Sequence, residues 1–176
     1  MFKIIKLSDF DVRCNDDEVF FKISELTSSH YVTDDDYHRT LAGYSDGSEI
    51  DLAKRSSWTN KHRFKFSLPS EATHFFETHS IDTNSESNDP YDHKNFVDPS
   101  DVYTLLKYET GDFFLDHIDR QKNERHRFTC LIFVHNDQPY EGGDLLLHDK
   151  ENTYTIVIQP SKFSKNTMVI FSIDMY

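Results

Sequence analysis

His117 and Asp119 close the apolar run TLLKYETGDFFLDHID, and their residue types and spacing could do chemistry. On a strand, residues two apart point to the same face. An imidazole and a carboxylate on one face can take adjacent corners of an octahedral metal. They would supply two of the three ligands of a 2-His-1-carboxylate centre, which leaves three positions open for other molecules. The third ligand is expected to be a histidine from a later strand. A His-x-Asp pair is short enough to arise by chance, and His135-Asn136-Asp137 repeats it. The competing reading of His117 is an ordinary strand histidine satisfied by a neighbouring carboxylate. His135 and His148 read as surface or internally satisfied histidines. His148, which ends DLLLH, is the one that could approach the site.

Other chemistries find no support. The ten histidines show no H-E-x-x-H, and there is no cysteine cluster, nucleophile elbow, Walker loop or Rossmann fingerprint. The net charge of −12 repels phosphate backbones, so no extended nucleic-acid surface is expected. The stretch KRSSWTNKHRFKF (54–66) alone interleaves basic and aromatic residues. It reads as an edge strand or loop with Lys and Arg facing water, or else as a ligand or partner surface. No run approaches the ~18 apolar residues of a membrane span, and the N-terminus lacks a signal-peptide pattern. A cytoplasmic protein is expected, with Cys14 and Cys130 as reduced thiols.

The elements that must position the pair fall into two halves. A chain of 176 residues, 14% aromatic with fifteen Phe, suits a single domain with a core of few, large side chains. Residues 1–101 are expected to give helical support and a polar loop. DEVFFKISEL (17–26) carries apolar residues at helical spacing. VTDDDYHRTLAGYSDG (32–47) reads as a short helix on an acidic cap followed by a turn. SLPSEATHFFETHS reads as a helix with Ser70 as N-cap, Glu71 in its first turn, and Phe75 and Phe76 facing the core. The polar stretch 81–101 reads as a surface insertion or a loop beside the active-site mouth. From 102 onward come VYTLLKYE, FFLDHID, RFTCLIFVH, DLLLHD, YTIVIQP and TMVIFSID, all strand-like, with a turn or close backbone approach at Gly142-Gly143. The expected class is α+β with a β-sandwich or jelly roll.

Four pieces of the second half resemble, in order, the prolyl 4-hydroxylase-like Fe(II)/2-oxoglutarate dioxygenases. They are YETGDFFLDHID, RFTCLIFVHND, YEGGDLLLH and QPSKFSKNTMVIFSIDMY, spanning 102–176. The resemblance implies a double-stranded β-helix (jelly roll) with N-terminal helices packed on its major sheet. It makes His117 and Asp119 ligands of Fe(II). It places Tyr108, Leu131 and Leu145 around 2-oxoglutarate, and Phe133 where many relatives have a Tyr that bonds the distal carboxylate. It implies hydroxylation of a protein or peptide side chain, prolyl first, with 2-oxoglutarate converted to succinate and CO2 and ascorbate as an accessory. The family's distal His, its basic anchor and its last strand fall beyond Tyr176. The resemblance therefore implies a piece of a longer enzyme, inactive as it stands. The alternative is a shortened, catalytically dead jelly roll that binds a partner protein.

Overall fold

In the computed structural model, residues 2–14, 19–39, 55–79, 103–117, 128–134, 139–149, 151 and 153–172 are described. In chain order they form β1 (Phe2–Lys6), β2 (Asp11–Cys14), β3 (Phe20–Lys22), β4 (Tyr37–Arg39), β5 (Arg55–Ser56), β6 (Trp58–Phe66), α1 (Ser70–His79), β7 (Tyr103–Lys107), β8 (Phe113–Phe114), β9 (Phe128–Phe133), β10 (Leu145–His148), β11 (Thr155–Ile158) and β12 (Thr167–Ser172). This is a mostly β structure with few helices, compatible with a jelly-roll-like oxygenase fold. Among the described residues no helix is long and apolar enough to cross a membrane.

The sequence of β12, TMVIFS, explains its place. Five consecutive residues, Thr167–Phe171, are buried, which requires cover on both faces. Antiparallel pairing with β1 on one side and β9 on the other fills both hydrogen-bonding edges. Met168 and Ile170 face one way and join Ile5, Leu7, Ala72, Phe75 and Phe76, with Phe128, Cys130 and Ile132 of β9 packed against them. Val169 and Phe171 face the other way, against Leu147 and Ile158 of the β10–β11 ribbon. The result is α1, a three-stranded sheet and a two-stranded ribbon in layers. Shortening Ile170, fully buried, to Val should cost about 1 kcal/mol, measured as a shift in urea midpoint at constant slope.

The first half departs from expectation. Before Ser70 the described residues hold strands and two 3₁₀ turns, so N-terminal helices are not seen. Within 17–26, Val19 and Phe20 face solvent. Phe21 packs instead against the cluster of Val12, Cys14, Ile23, Leu26, Tyr31 and Phe64, because β3 pairs with β2. Only Ile23–Ser28 coils, as a 3₁₀ turn. Its three-residue period buries both Ile23 and Leu26, and the Glu25 carboxylate accepts the Lys22 N–H at 3.0 Å. The acidic stretch at 34–36 likewise makes one 3₁₀ turn and then passes into β4, whose Tyr37, His38 and Arg39 pair with Asn60, Thr59 and Trp58. Residues 15–18 and 40–54 lie outside the described set. A long-range strand partner overrides local helical preference at both places.

The basic stretch is also corrected. β6 is not an edge strand or loop. It is the central strand of a five-stranded sheet, with β2 and β4 on one side and β7 on the other. Its alternation survives: Lys61 and Arg63 are exposed while Asn60 and Phe64 are buried. The helix at 70–79 is as expected, with Phe75 and Phe76 buried. However, the Pro69 carbonyl accepts the Ala72 and Thr73 N–H groups, so Pro69 rather than Ser70 holds the cap position. Gly142 and Gly143 both take positive φ, as a turn there demands. Cys14 is a buried thiol and Cys130 a half-buried one.

Candidate functional site

The segment leading to His117 is fixed from its turn upward. After β7 the chain reverses through Tyr108–Asp112, where Gly111 has φ 88°, a conformation that favours glycine. Asp112 N–H donates to the Glu109 carbonyl at 2.9 Å, and the Asp112 carboxylate accepts the Glu109 N–H at 2.9 Å in return. Its other oxygen accepts from Ser56 Oγ at 2.5 Å and from Arg39 Nη1 at 2.8 Å, while Arg39 also donates to Ser56. The carboxylate is almost fully covered. The Ser56 hydroxyl, the Glu109 amide and the Arg39 guanidinium together hold its pKa down at about 2. Lys107 ties the same turn to Asp34 and Glu109.

Beyond this clamp, β8 pairs with β5, placing Arg55 opposite Phe114 and Ser56 opposite Phe113. The strand ends at Phe114, so His117 lies past it rather than on it. The expectation of a strand-borne pair is corrected there, and Asp119 lies outside the described residues. His117 is held in another way. Its imidazole stacks on Phe114 with ring centres 3.6 Å apart, and its Nδ1 is 2.8 Å from the Leu115 carbonyl oxygen. A carbonyl only accepts, so Nδ1 carries the proton, and in the neutral ring Nε2 presents the lone pair. A backbone carbonyl on one imidazole nitrogen is the usual way to orient a metal-binding histidine through the other. His117 therefore fits a metal ligand. Among the described residues, no group of three or more His, Cys, Asp or Glu could hold a metal ion.

The positions expected around 2-oxoglutarate divide. Leu131, Phe133 and Leu145 converge in the apolar cluster between β9–β12 and β10–β11, where Phe133 meets Phe163 edge-on at 5.8 Å. Tyr108 sits in the turn, outside that cluster and about half exposed. His148 Nδ1 lies 2.8 Å from Thr155 Oγ1. Its Nε2 also comes to 3.5 Å from Asp116 Oδ2, so the end of β10 does approach the residue beside His117. His135 and the 81–101 loop lie outside the described residues.

Residues 103–176 match the family model described as the 2OG-Fe(II) oxygenase superfamily. The match covers less than half of the chain. It supports a dioxygenase-type enzyme that uses Fe(II) and 2-oxoglutarate, and carries no sign of ascorbate. No curated protein and no solved structure matches the chain significantly. The matched segment contains His117, its turn, and Leu131, Phe133 and Leu145. The clamp partners Arg39 and Ser56, and Arg55 beside Phe114, lie outside it. Sequence reading missed Asp112 and these partners, because Arg39 and Ser56 are 73 and 56 residues from Asp112 and no local pattern links them. The only local signal was an acid directly after Gly111, a common turn arrangement.

Proposed function

We propose that the chain carries the His-x-Asp side of an iron site in a 2-oxoglutarate-dependent dioxygenase that hydroxylates a protein or peptide side chain, in the manner of a prolyl hydroxylase. The observation that carries this reading is the posture of His117 inside the oxygenase segment: exposed, stacked on Phe114, and tied through Nδ1 so that Nε2 is the ligating atom. Asp119, two residues on, is its proposed partner. When bound, Fe(II) and 2-oxoglutarate would supply, with dioxygen as the oxidant, decarboxylation to succinate and CO2, one oxygen atom entering succinate and the other hydroxylating a substrate carbon. Leu131, Phe133 and Leu145 wall the co-substrate and exclude water. Phe133 provides apolar surface without a hydroxyl. A new Tyr hydroxyl reaching the co-substrate carboxylate adds one hydrogen bond, worth about 1 kcal/mol. Phe133→Tyr should therefore tighten 2-oxoglutarate about 5-fold in anaerobic calorimetry with Mn(II). Unchanged affinity would remove Phe133 from the co-substrate wall. Succinate release on incubation with Fe(II), 2-oxoglutarate and candidate peptides tests the reading as a whole.

One observation favours a second reading. On the outer face of the β10–β11 ribbon, Leu146 and Val157 lie directly opposite each other and are exposed, with Tyr154 nearby. A jelly roll that binds a partner protein through that face without catalysis would use them. Absence of succinate together with loss of partner binding in Leu146→Lys would support it.

A further inference from the structure

We propose that Arg55 receives an acidic side chain of the peptide substrate beside the candidate iron site; the proposal rests on the dioxygenase reading and names its substrate class. The chain has 31 acidic against 19 basic residues, so a cation without a carboxylate calls for explanation. Among the described residues around the site, Arg39 is paired with Asp112, and Lys107 with Asp34 and Glu109. Arg55 differs. Its Nε donates to Ser57 Oγ at 2.9 Å and its guanidinium carbon lies 4.4 Å over the Phe114 ring. Among the described residues no carboxylate pairs with it, and its terminal N–H groups keep the planar fork that binds a carboxylate through two parallel hydrogen bonds.

Its position gives the site a function. Phe114 lies between two partners, with Arg55 at 4.4 Å and the His117 ring at 3.6 Å, both measured to the Phe114 centroid. The guanidinium carbon and the imidazole centre are therefore no more than about 8 Å apart. An extended peptide advances roughly 3.3 Å per residue. An acid held by Arg55 thus lies one to three positions from the residue placed over His117. Phe113, Leu115 and Tyr108 are exposed nearby and offer apolar surface to neighbouring side chains. The carboxylates of 2-oxoglutarate are the other source of the same chemistry. They are disfavoured, because Leu131, Phe133 and Leu145 form their cluster between the sheets and neither Arg55 nor Phe114 belongs to it. The overall charge of −12 opposes acidic ligands at long range, so the contact shows as discrimination at short range rather than as high affinity.

The test uses Trp58, the sole tryptophan, three residues from Arg55, as a fluorescence reporter. The probes are a hexapeptide of alternating Glu and Leu, the same peptide with Gln for Glu, and 2-oxoglutarate with Mn(II) under nitrogen. The full chain should bind the Glu peptide about 10-fold or more tighter than the Gln peptide. Arg55→Ala should erase that preference, Arg55→Lys should keep part of it, and neither should alter 2-oxoglutarate binding. Equal binding of the two peptides by the unaltered chain overturns the proposal. So does an Arg55→Ala effect confined to 2-oxoglutarate, which would make Arg55 a co-substrate anchor. Arg55→Gln, which keeps length and hydrogen bonding, replaces Arg55→Ala if circular dichroism shows the latter unfolded. The dioxygenase reading fails separately: if His117→Ala leaves Mn(II) binding intact while the Glu preference persists, the anion site stands and the metal assignment does not.

Discussion

His117→Ala should remove Mn(II) binding while leaving the fold intact. The side chain is exposed, and Phe114 and the Leu115 carbonyl are among its partners. Exposed substitutions of this kind change stability by about 0.5 kcal/mol or less, so an unchanged thermal midpoint separates loss of a ligand from loss of structure. Removing a residue that merely orients a ligand weakens metal binding roughly 10–100-fold, and removing the ligand itself should exceed that. Anaerobic titration followed by Mn(II) electron paramagnetic resonance measures the difference directly. The same titration on Asp119→Ala asks whether the carboxylate shares the site. If His117→Ala binds Mn(II) as the unaltered chain does, His117 is a surface histidine stacked on a phenylalanine and the metal reading is wrong.

What the sequence revealed follows from the range of the forces involved. The second-half strands VYTLLK, FTCLIF, LLLH, TIVI and TMVIFS were legible because β-branched and aromatic runs between turn residues can bury themselves in few other ways. The helix at 70–79 was legible because its apolar stripe and acidic first turn agree. The failures lie where a short amphipathic segment had a distant partner. VFFK and DYHR carry enough local helical signal to suggest helices, yet β2 and β6 offer them complete ladders. β6 itself looked like a surface strand because Lys61, Arg63 and Lys65 dominate its composition. In fact those residues share one face of a strand paired on both sides. At the candidate site, type and spacing single out His117, but its posture is not legible, since β8 stops at Phe114. The Asp112 clamp that precedes it in the chain is built from β4, β5 and the turn after β7. Three elements far apart in sequence leave no periodicity to read.

Asp112 should prove to be a positioning residue for the His117 segment. Its carboxylate gathers the Glu109 amide, the Ser56 hydroxyl and the Arg39 guanidinium, and so joins the turn before β8 to β4 and β5. Hydrogen bonds to a charged group contribute about 1.5–3 kcal/mol, so Asp112→Ala should destabilise the chain by about 2 kcal/mol. Asp112→Asn should cost less, because the amide oxygen in the Oδ1 position still accepts from both Ser56 and Arg39. The pH dependence has a definite sign. The folded-state pKa is lowered to about 2 from the ordinary 3.8, so the stabilisation is fully present above the unfolded-state value. It declines as pH falls from about 4 towards 2, and the gap between wild type and Asp112→Asn should close over that window. Stability alone would fit a purely structural role. The distinguishing measurement is Mn(II) affinity at pH 7, under conditions where the variant is fully folded. If the clamp acts through β8 and the Phe114 stack on His117, Mn(II) binding should weaken roughly 10–100-fold. A double-mutant cycle with Arg39→Ala should return a coupling energy of about 1 kcal/mol or more if the two side chains act as one clamp. If Asp112→Asn melts below wild type yet binds Mn(II) with unchanged affinity, the clamp supports the fold only and His117 takes its posture independently of it.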